Sequence, residues 1–127
     1  MRSLRQALRN LCRALDEGPQ TLPRTRSLRL LESKLSLLQR QQWGRHRYFD
    51  VIGGKTGRRY RIQEGRLLNV AQLNARGQCV RLLCFEPEGV LPIGDVMLAQ
   101  KIALELFEFE ALAVANKSPG WYGGWGR

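Results

Sequence analysis

Leucines recur at helical spacing at the start of the chain and predict an amphipathic helix. Over residues 2–16 four leucines share one face and four arginines share another, and Gly18 and Pro19 then end the pattern. Such a helix usually packs its leucines on a core and leaves its arginines to solvent or a partner. A transit-peptide-like segment and a helix lying on an anionic membrane are the alternatives. The leucines are Leu4, Leu8, Leu11 and Leu15.

A second leucine stripe predicts a second helix with a break in it. Ser27 is a candidate N-cap for this helix. Ser36 followed by Gln39 has the spacing of a capping box, so the helix is predicted to break near residues 33–36 and to restart. The second piece runs to about Trp43, and a basic segment follows it.

Apolar and polar residues alternate in the middle of the chain and predict β-strands. In one of these segments Tyr60 and Ile62 are predicted to face inward, because they occupy alternate positions. Arg59 and Arg61 are predicted to face outward for the same reason. Short turns separate the segments, and antiparallel hairpins are the most economical way to connect them. The predicted strands are residues 48–52, 58–63, 67–73 and 78–85.

The most apolar segment follows a loop and predicts a long last helix. Asp95 is its candidate N-cap, and the helix covers residues 95–115. Its polar strip is narrow, so the helix is predicted to be buried on several sides, either under the sheet and the first helices or in a dimer interface. The polar strip consists of Lys101, Glu105 and Glu108.

These elements predict an α+β fold with two N-terminal helices, a four-strand antiparallel meander and a long C-terminal helix packed on the sheet. One domain covers residues 1–116 and consists of a helical arm (1–43), the sheet (48–85) and the last helix (95–115). Residues 117–127 are rich in glycine and aromatic residues and are predicted to be a flexible tail.

The composition fits one globular domain. The chain has 127 residues, which is close to the commonest domain size. It has no apolar run long enough to span a bilayer, so no transmembrane segment is predicted. Its three cysteines cannot form a closed disulfide framework, which predicts a reduced, cytoplasmic protein.

The net charge is +10 and is distributed unevenly. Residues 1–81 hold 18 Lys and Arg against 5 Asp and Glu, whereas residues 82–127 hold 3 against 6. This asymmetry predicts a basic surface that binds DNA, RNA or another polyanion, largely without regard to base sequence, because arginine binds phosphate and aromatic rings stack on bases. A basic surface that only keeps the protein in solution is the alternative. The predicted nucleic-acid-binding residues are Arg40, Arg45, Arg47, Lys55, Arg58, Arg59, Arg61 and Trp43.

A protein-interaction or assembly subunit is the second hypothesis, for example part of a virion or of a homo-oligomer, with no nucleic-acid role. The apolar last helix offers a surface for a partner or a second copy, and the tail carries aromatic residues of the kind that interfaces favour. The predicted partner-binding residues are Trp121, Tyr122 and Trp125.

Residues 53–56 read Gly-Gly-Lys-Thr, which is the end of a phosphate-loop motif without the rest of it. A phosphate loop has another glycine where this chain has Phe49, and a helix follows the loop. Here a strand is predicted to follow, so the segment is interpreted as a hairpin turn. Lys55, Thr56 and Arg58 near its tip are still placed to contact a phosphate backbone.

The sequence contains no catalytic or metal-binding pattern. His46 is the only histidine and lies among arginines, which disfavour its use as a base. Cys79 and Cys84 fall on opposite faces of one predicted strand, so they cannot bind one metal ion together. The sequence therefore predicts a binding protein without a cofactor or a metal, rather than an enzyme.

Four segments of the chain read VIGG at residues 51–54, TGRRYRI at 56–62, LCFEP at 83–87 and LPIGDVMLAQ at 91–100. Together they resemble small uncharacterised proteins of bacteria and their viruses. That group implies no activity, cofactor or partner for this chain. The first two segments are also similar to the opening hairpin of SWIM zinc modules, but the cysteine and histidine ligands that follow there are missing here.

Overall fold

The computed structural model describes Leu4, Gln6 and residues 22–65, 68–85 and 89–119. Within these residues the chain forms four helices and a five-strand antiparallel sheet, which confirms the predicted α+β class. The helices are α1 (Pro23–Lys34), α2 (Leu37–His46), α3 (Ile93–Leu106) and α4 (Glu108–Val114). The strands are β1 (Tyr48–Ile52), β2 (Arg59–Gln63), β3 (Val70–Leu73), β4 (Cys79–Cys84) and β5 (Asn116–Pro119).

The predicted first helix falls mostly outside the described residues. Of residues 2–16 only Leu4 and Gln6 are described, and both are helical. The three aromatic residues predicted to bind a partner lie outside the described residues as well. They are Trp121, Tyr122 and Trp125.

The two predicted N-caps, Ser27 and Asp95, are wrong because both residues lie inside helices. α1 begins at Pro23, whose missing N–H suits the first turn of a helix. Ser27 is therefore a buried residue of α1, and its hydroxyl accepts a hydrogen bond from the N–H of Gly94 at 3.1 Å. α3 begins at Ile93, so Asp95 is its third residue and is buried.

The predicted capping box at the start of α2 is confirmed, and α2 covers one edge of the sheet. The Ser36 hydroxyl accepts from the N–H of Gln39 at 3.2 Å, and Gln39 Oε1 accepts from the N–H of Ser36 at 2.9 Å. Gln39 Nε2 also donates to the carbonyl of Asp50 at 2.9 Å, and Gln42 Oε1 accepts from the N–H of Asp50 at 2.8 Å. β1 is an edge strand, so these two glutamines satisfy backbone groups that point away from β2.

The sheet follows the order β1-β2-β3-β4-β5, so each strand pairs with its neighbour in the chain. The predicted four-strand meander is therefore extended by a fifth strand. β5 comes from the start of the predicted tail, where Asn116 pairs with Cys84 and Ser118 pairs with Leu82. Backbone hydrogen bonds do not require apolar side chains, and an edge strand accepts a proline. The polar composition of this segment therefore gave no indication that it forms a strand.

The predicted last helix is two helices, α3 and α4, that meet at Phe107. This residue has φ −136° and ψ 46°, outside the helical range. The N–H of Gly54 donates to the carbonyl of Leu104 at 3.1 Å. In a continuous helix the carbonyl of Leu104 would instead accept a hydrogen bond from the N–H of Glu108. The turn between β1 and β2 therefore packs into the break between the two helices.

The core lies between the helices and one face of the sheet. Tyr60 and Ile62 are fully buried, as their alternation predicts. The opposite face, called the outer face below, carries the alternate residues of β1 and β2, among them Asp50 and Arg61. Other core residues include Leu30, Leu31, Leu35, Phe49, Val51, Val70, Leu83, Met97, Leu98 and Leu104.

Candidate nucleic-acid interface

Arg61 and Asp50 form a cross-strand ion pair on the outer face. Arg61 Nε lies 2.8 Å from Asp50 Oδ1, and its Nη2 lies 3.1 Å from Oδ2, so two parallel hydrogen bonds join the groups. Burial acts to lower the pKa of Arg61, but the hydrogen bond and the charge of Asp50 raise it above its usual value. Arg59 Nε lies 3.9 Å from the same carboxylate. Asp50 therefore already balances the charge of Arg61.

A stack of planar side chains continues from Arg61 along the outer face. Arg61 Cζ lies 4.0 Å from the ring centroid of Tyr48. The rings of Tyr48 and His46 are stacked, with centroids 5.0 Å apart and an interplanar angle of 10°. His46 is exposed, so the stack ends at the protein surface.

Trp43, Arg47 and Arg40 make contacts within the protein. Trp43 is 2% exposed and its Nε1 donates to Glu32 Oε1 at 3.2 Å, so it cannot stack on a base and leaves the predicted set. The guanidinium of Arg47 lies 4.1 Å from the Trp43 ring centroid, and its Nη2 lies 3.4 Å from Glu64 Oε2. Arg40 Nε donates to the carbonyl of Glu32 at 3.1 Å.

Several exposed cations form no ion pair within the described part of the chain, and four of them lie beside the strands of the sheet: Arg45, Lys55, Arg58 and Arg76. Lys55 and Arg58 lie between β1 and β2. Arg76 lies between β3 and β4, at the same end of the meander. Arg45 lies near the end of α2, at the opposite end of β1. Arg45 and the other three cations therefore lie at opposite ends of the meander, whose first strand is about 17 Å long.

The Gly-Gly-Lys-Thr segment is a hairpin turn, as predicted, and it binds a carboxylate of the protein itself. Glu108 is fully buried, and its Oε1 accepts from the N–H groups of Lys55 at 2.9 Å and Thr56 at 2.8 Å. Its Oε2 accepts from the hydroxyls of Tyr60, at 2.6 Å, and Thr56. A Cβ at Gly53 would lie 2.4 Å from the carboxylate carbon, so only glycine fits there. These N–H groups are therefore not available to a phosphate.

The hydrogen bonds of this turn also determine the protonation of Glu108 and Tyr60. Burial acts to raise the pKa of Glu108, but hydrogen bonds from Thr56, Tyr60 and the backbone of Thr56 and Lys55 lower it below its usual value. Burial raises the pKa of Tyr60 to about 12, and the hydrogen bond to Glu108 and its charge act in the same direction. The contact is thus a carboxylate that accepts a hydrogen bond from a neutral phenol.

The sequence places His46 and Tyr48 among the basic residues, but it predicts neither that their rings stack on each other nor that Glu108 is buried in the turn. Helical spacing placed Glu108 in a polar strip with Lys101 and Glu105, whose own side chains do pair at 2.6 Å. The stack had a weak signal, because two planar residues two positions apart follow the predicted end of a helix.

No protein-family model, no curated protein and no solved structure matches the chain. Within the described residues, no helix is long and apolar enough to cross a bilayer. No group of three His, Cys, Asp or Glu side chains in the same part of the chain is arranged to hold a metal ion.

Proposed function

We propose that this protein binds nucleic acid through its phosphates, with little dependence on base sequence. The observation that carries the proposal is the set of exposed cations at the two ends of the meander that form no ion pair with another described residue. A net charge of +10 adds a long-range attraction for any polyanion. Phosphate contacts hold a strand in place but carry no sequence information directly, which accounts for the expected lack of sequence preference.

The spacing of these cations favours an extended polyanion over a small anion. Arg45 and the other three cations are separated by the length of β1, about 17 Å, which is more than one phosphate ion spans. Successive phosphates of one DNA strand advance by about 3.4 Å along a duplex, so a strand can reach from one group to the other. Between the groups, Asp50 balances Arg61 and approaches Arg59. We therefore expect most of the phosphate contacts at the two ends of β1.

Reversing the charge of Lys55 is the first test. Its backbone N–H, not its side chain, bonds to Glu108, so Lys55→Glu leaves the turn intact. We expect this variant to bind about tenfold more weakly at low salt and to lower the salt slope by about one, because one phosphate contact is lost. Fluorescence anisotropy with single-stranded DNA, duplex DNA and RNA at several salt concentrations measures both quantities.

Lys34→Glu is the matched control for this experiment. Lys34 is exposed at the end of α1, and its replacement changes the net charge by the same amount. We expect a much smaller loss of affinity from it. Equal losses in the two variants would show that only net charge matters. A wild-type protein that binds none of the probes at low salt would exclude the proposal.

A second candidate function, a protein-interaction or assembly subunit, is favoured by exposed apolar residues around the break between α3 and α4. Leu106 is 64% exposed, Phe107 55% and Phe109 58%. Large apolar side chains that are exposed together mark interaction surfaces. The three residues lie within four positions of the chain, at the end of α3 and the start of α4.

Under this second function the protein associates with itself through these phenylalanines. We expect sedimentation velocity to show a concentration-dependent oligomer for the wild type and a monomer for Phe107→Ser/Phe109→Ser. The control is Val90→Ser, because Val90 is 93% exposed but lies in the loop before α3. A wild-type protein that stays monomeric at all concentrations contradicts self-association.

A further inference from the structure

His46 presents a flat, exposed ring whose orientation is determined by its neighbours. It stacks on Tyr48, and Tyr48 lies against the guanidinium of Arg61. Arg61 is itself held by two hydrogen bonds to Asp50. A continuous series of contacts thus joins Arg61, in the middle of β2, through Tyr48 to His46, at the end of α2. The conformational entropy of the His46 ring is therefore already restricted in the free protein, so binding a ligand costs less entropy.

The backbone at the end of α2 explains why these two rings meet. Arg47 adopts the left-handed conformation with φ 58°, and its N–H donates to the carbonyl of Trp43 at 3.0 Å. This left-handed residue ends the helix and directs the chain into β1. His46 and Tyr48, on either side of Arg47, are thereby brought to the same surface.

The surroundings of His46 fit a nucleotide. Arg45 precedes it in the chain, is exposed, and forms no ion pair with another described residue. Among the described residues, the ring contact of His46 is with Tyr48. An exposed planar ring offers a stacking surface for a base, and the exposed guanidinium of the preceding residue offers donor groups for a phosphate of the same strand.

We infer that the His46 ring is a stacking site for an unpaired base of single-stranded nucleic acid, with Arg45 on the adjoining phosphate. This inference rests on the proposed function and adds a preference for single strands. A base inside a duplex has neighbours on both of its faces, so it cannot stack on His46. RNA and DNA share this chemistry, because every base has a flat face.

The decisive experiment compares strands that differ only in their bases. Oligothymidylate and an abasic oligonucleotide of the same length carry the same phosphates. We expect the wild type to bind oligothymidylate about fivefold more tightly or better, as one base stacked on an aromatic ring provides. His46→Ala should bring the two affinities together without changing binding of the abasic strand, and His46→Trp should keep the preference. Oligouridylate in parallel shows whether the preference extends to RNA.

His46 also provides a direct spectroscopic test, because it is the only histidine of the chain. Its ring-proton NMR signals are therefore identified without mutation. Ring currents of a stacked base should move them upfield with oligothymidylate, while the abasic strand should not. Equal affinity of the wild type for both strands, or an unchanged preference in His46→Ala, would overturn the stacking site alone. Absence of binding to both strands at low salt would overturn the proposed function with it.

Discussion

Replacing Glu108 with alanine is expected to lower the free energy of unfolding by about 3–5 kcal/mol, a large part of the stability of a small domain. The carboxylate accepts hydrogen bonds from two backbone N–H groups and from the hydroxyls of Thr56 and Tyr60. Its removal leaves these buried or half-buried donors without an acceptor, and each unsatisfied group adds to the cost. Urea unfolding followed by tryptophan fluorescence measures the change, because Trp43 is buried.

Glu110→Ala is the matched control for this variant. Glu110 lies on the same helix, two positions further on, and is exposed. We expect its replacement to change the free energy of unfolding by less than about 0.5 kcal/mol. If Glu108→Ala is as stable as Glu110→Ala, the turn does not depend on the buried carboxylate.

The pH dependence of stability tests the same contact. The pKa of Glu108 is lowered in the folded protein, so its stabilising effect is present above the unfolded pKa of about 4.3 and is lost as the pH falls through the folded value. The pKa of Tyr60 is raised from 10.0 to about 12, so its contribution is fully present below the unfolded value and is lost as the pH rises from there through the folded value. We expect a plateau of stability between the unfolded pKa values of Glu108 and Tyr60, and a weaker loss on the acid side in Glu108→Gln than in the wild type.

Gly94→Ala is expected to destabilise the protein by about 2–3 kcal/mol, because α1 and α3 pack with their backbones in contact. A Cβ at Gly94 would lie 2.3 Å from the carbonyl carbon and oxygen of Ser27 and 2.6 Å from the nitrogen of Leu28. Backbone atoms cannot rotate away as a flexible side chain can, so the two helices must separate. The shift would also strain the hydrogen bond from the Gly94 N–H to Ser27. Thermal and urea unfolding measure the effect.

Gly44→Ala is the control, and it is expected to raise the stability of the protein instead of lowering it. A Cβ at Gly44 would have nothing within 4 Å, and the residue lies within α2. We expect this substitution to stabilise the protein by about 0.5–1 kcal/mol, because alanine loses less backbone entropy on folding. A Gly94→Ala protein as stable as the wild type would show that α1 and α3 separate at little cost.

The features that could be predicted from sequence depend on residues close together in the chain. The capping box needs only the spacing of Ser36 and Gln39, and the alternation of Tyr60 and Ile62 needs only the period of a strand. The burial of Glu108 depends instead on a turn 53 residues earlier. Periodicity contains no information about that contact, so it could not show that the last helix breaks at Phe107.

The candidate interface could be predicted in its residue types but not in its arrangement. Alternation placed Arg61 on the outward-facing side, but only the strand register puts Asp50 opposite it. Trp43 lies among basic residues in the sequence, yet helix packing buries it. His46 reaches the surface stack because Arg47 adopts a left-handed conformation that is usual for glycine and asparagine, and no residue at this position signals it.

During synthesis, β1 to β4 leave the ribosome before Glu108, because the fourth strand ends at Cys84. Each strand can pair with its predecessor as it emerges, since the order in the sheet follows the order in the chain. The turn between β1 and β2 then remains without its carboxylate until α4 has been made. A nascent chain that stops short of α4 can hold all four strands and still leave the N–H groups of Lys55 and Thr56 without their acceptor.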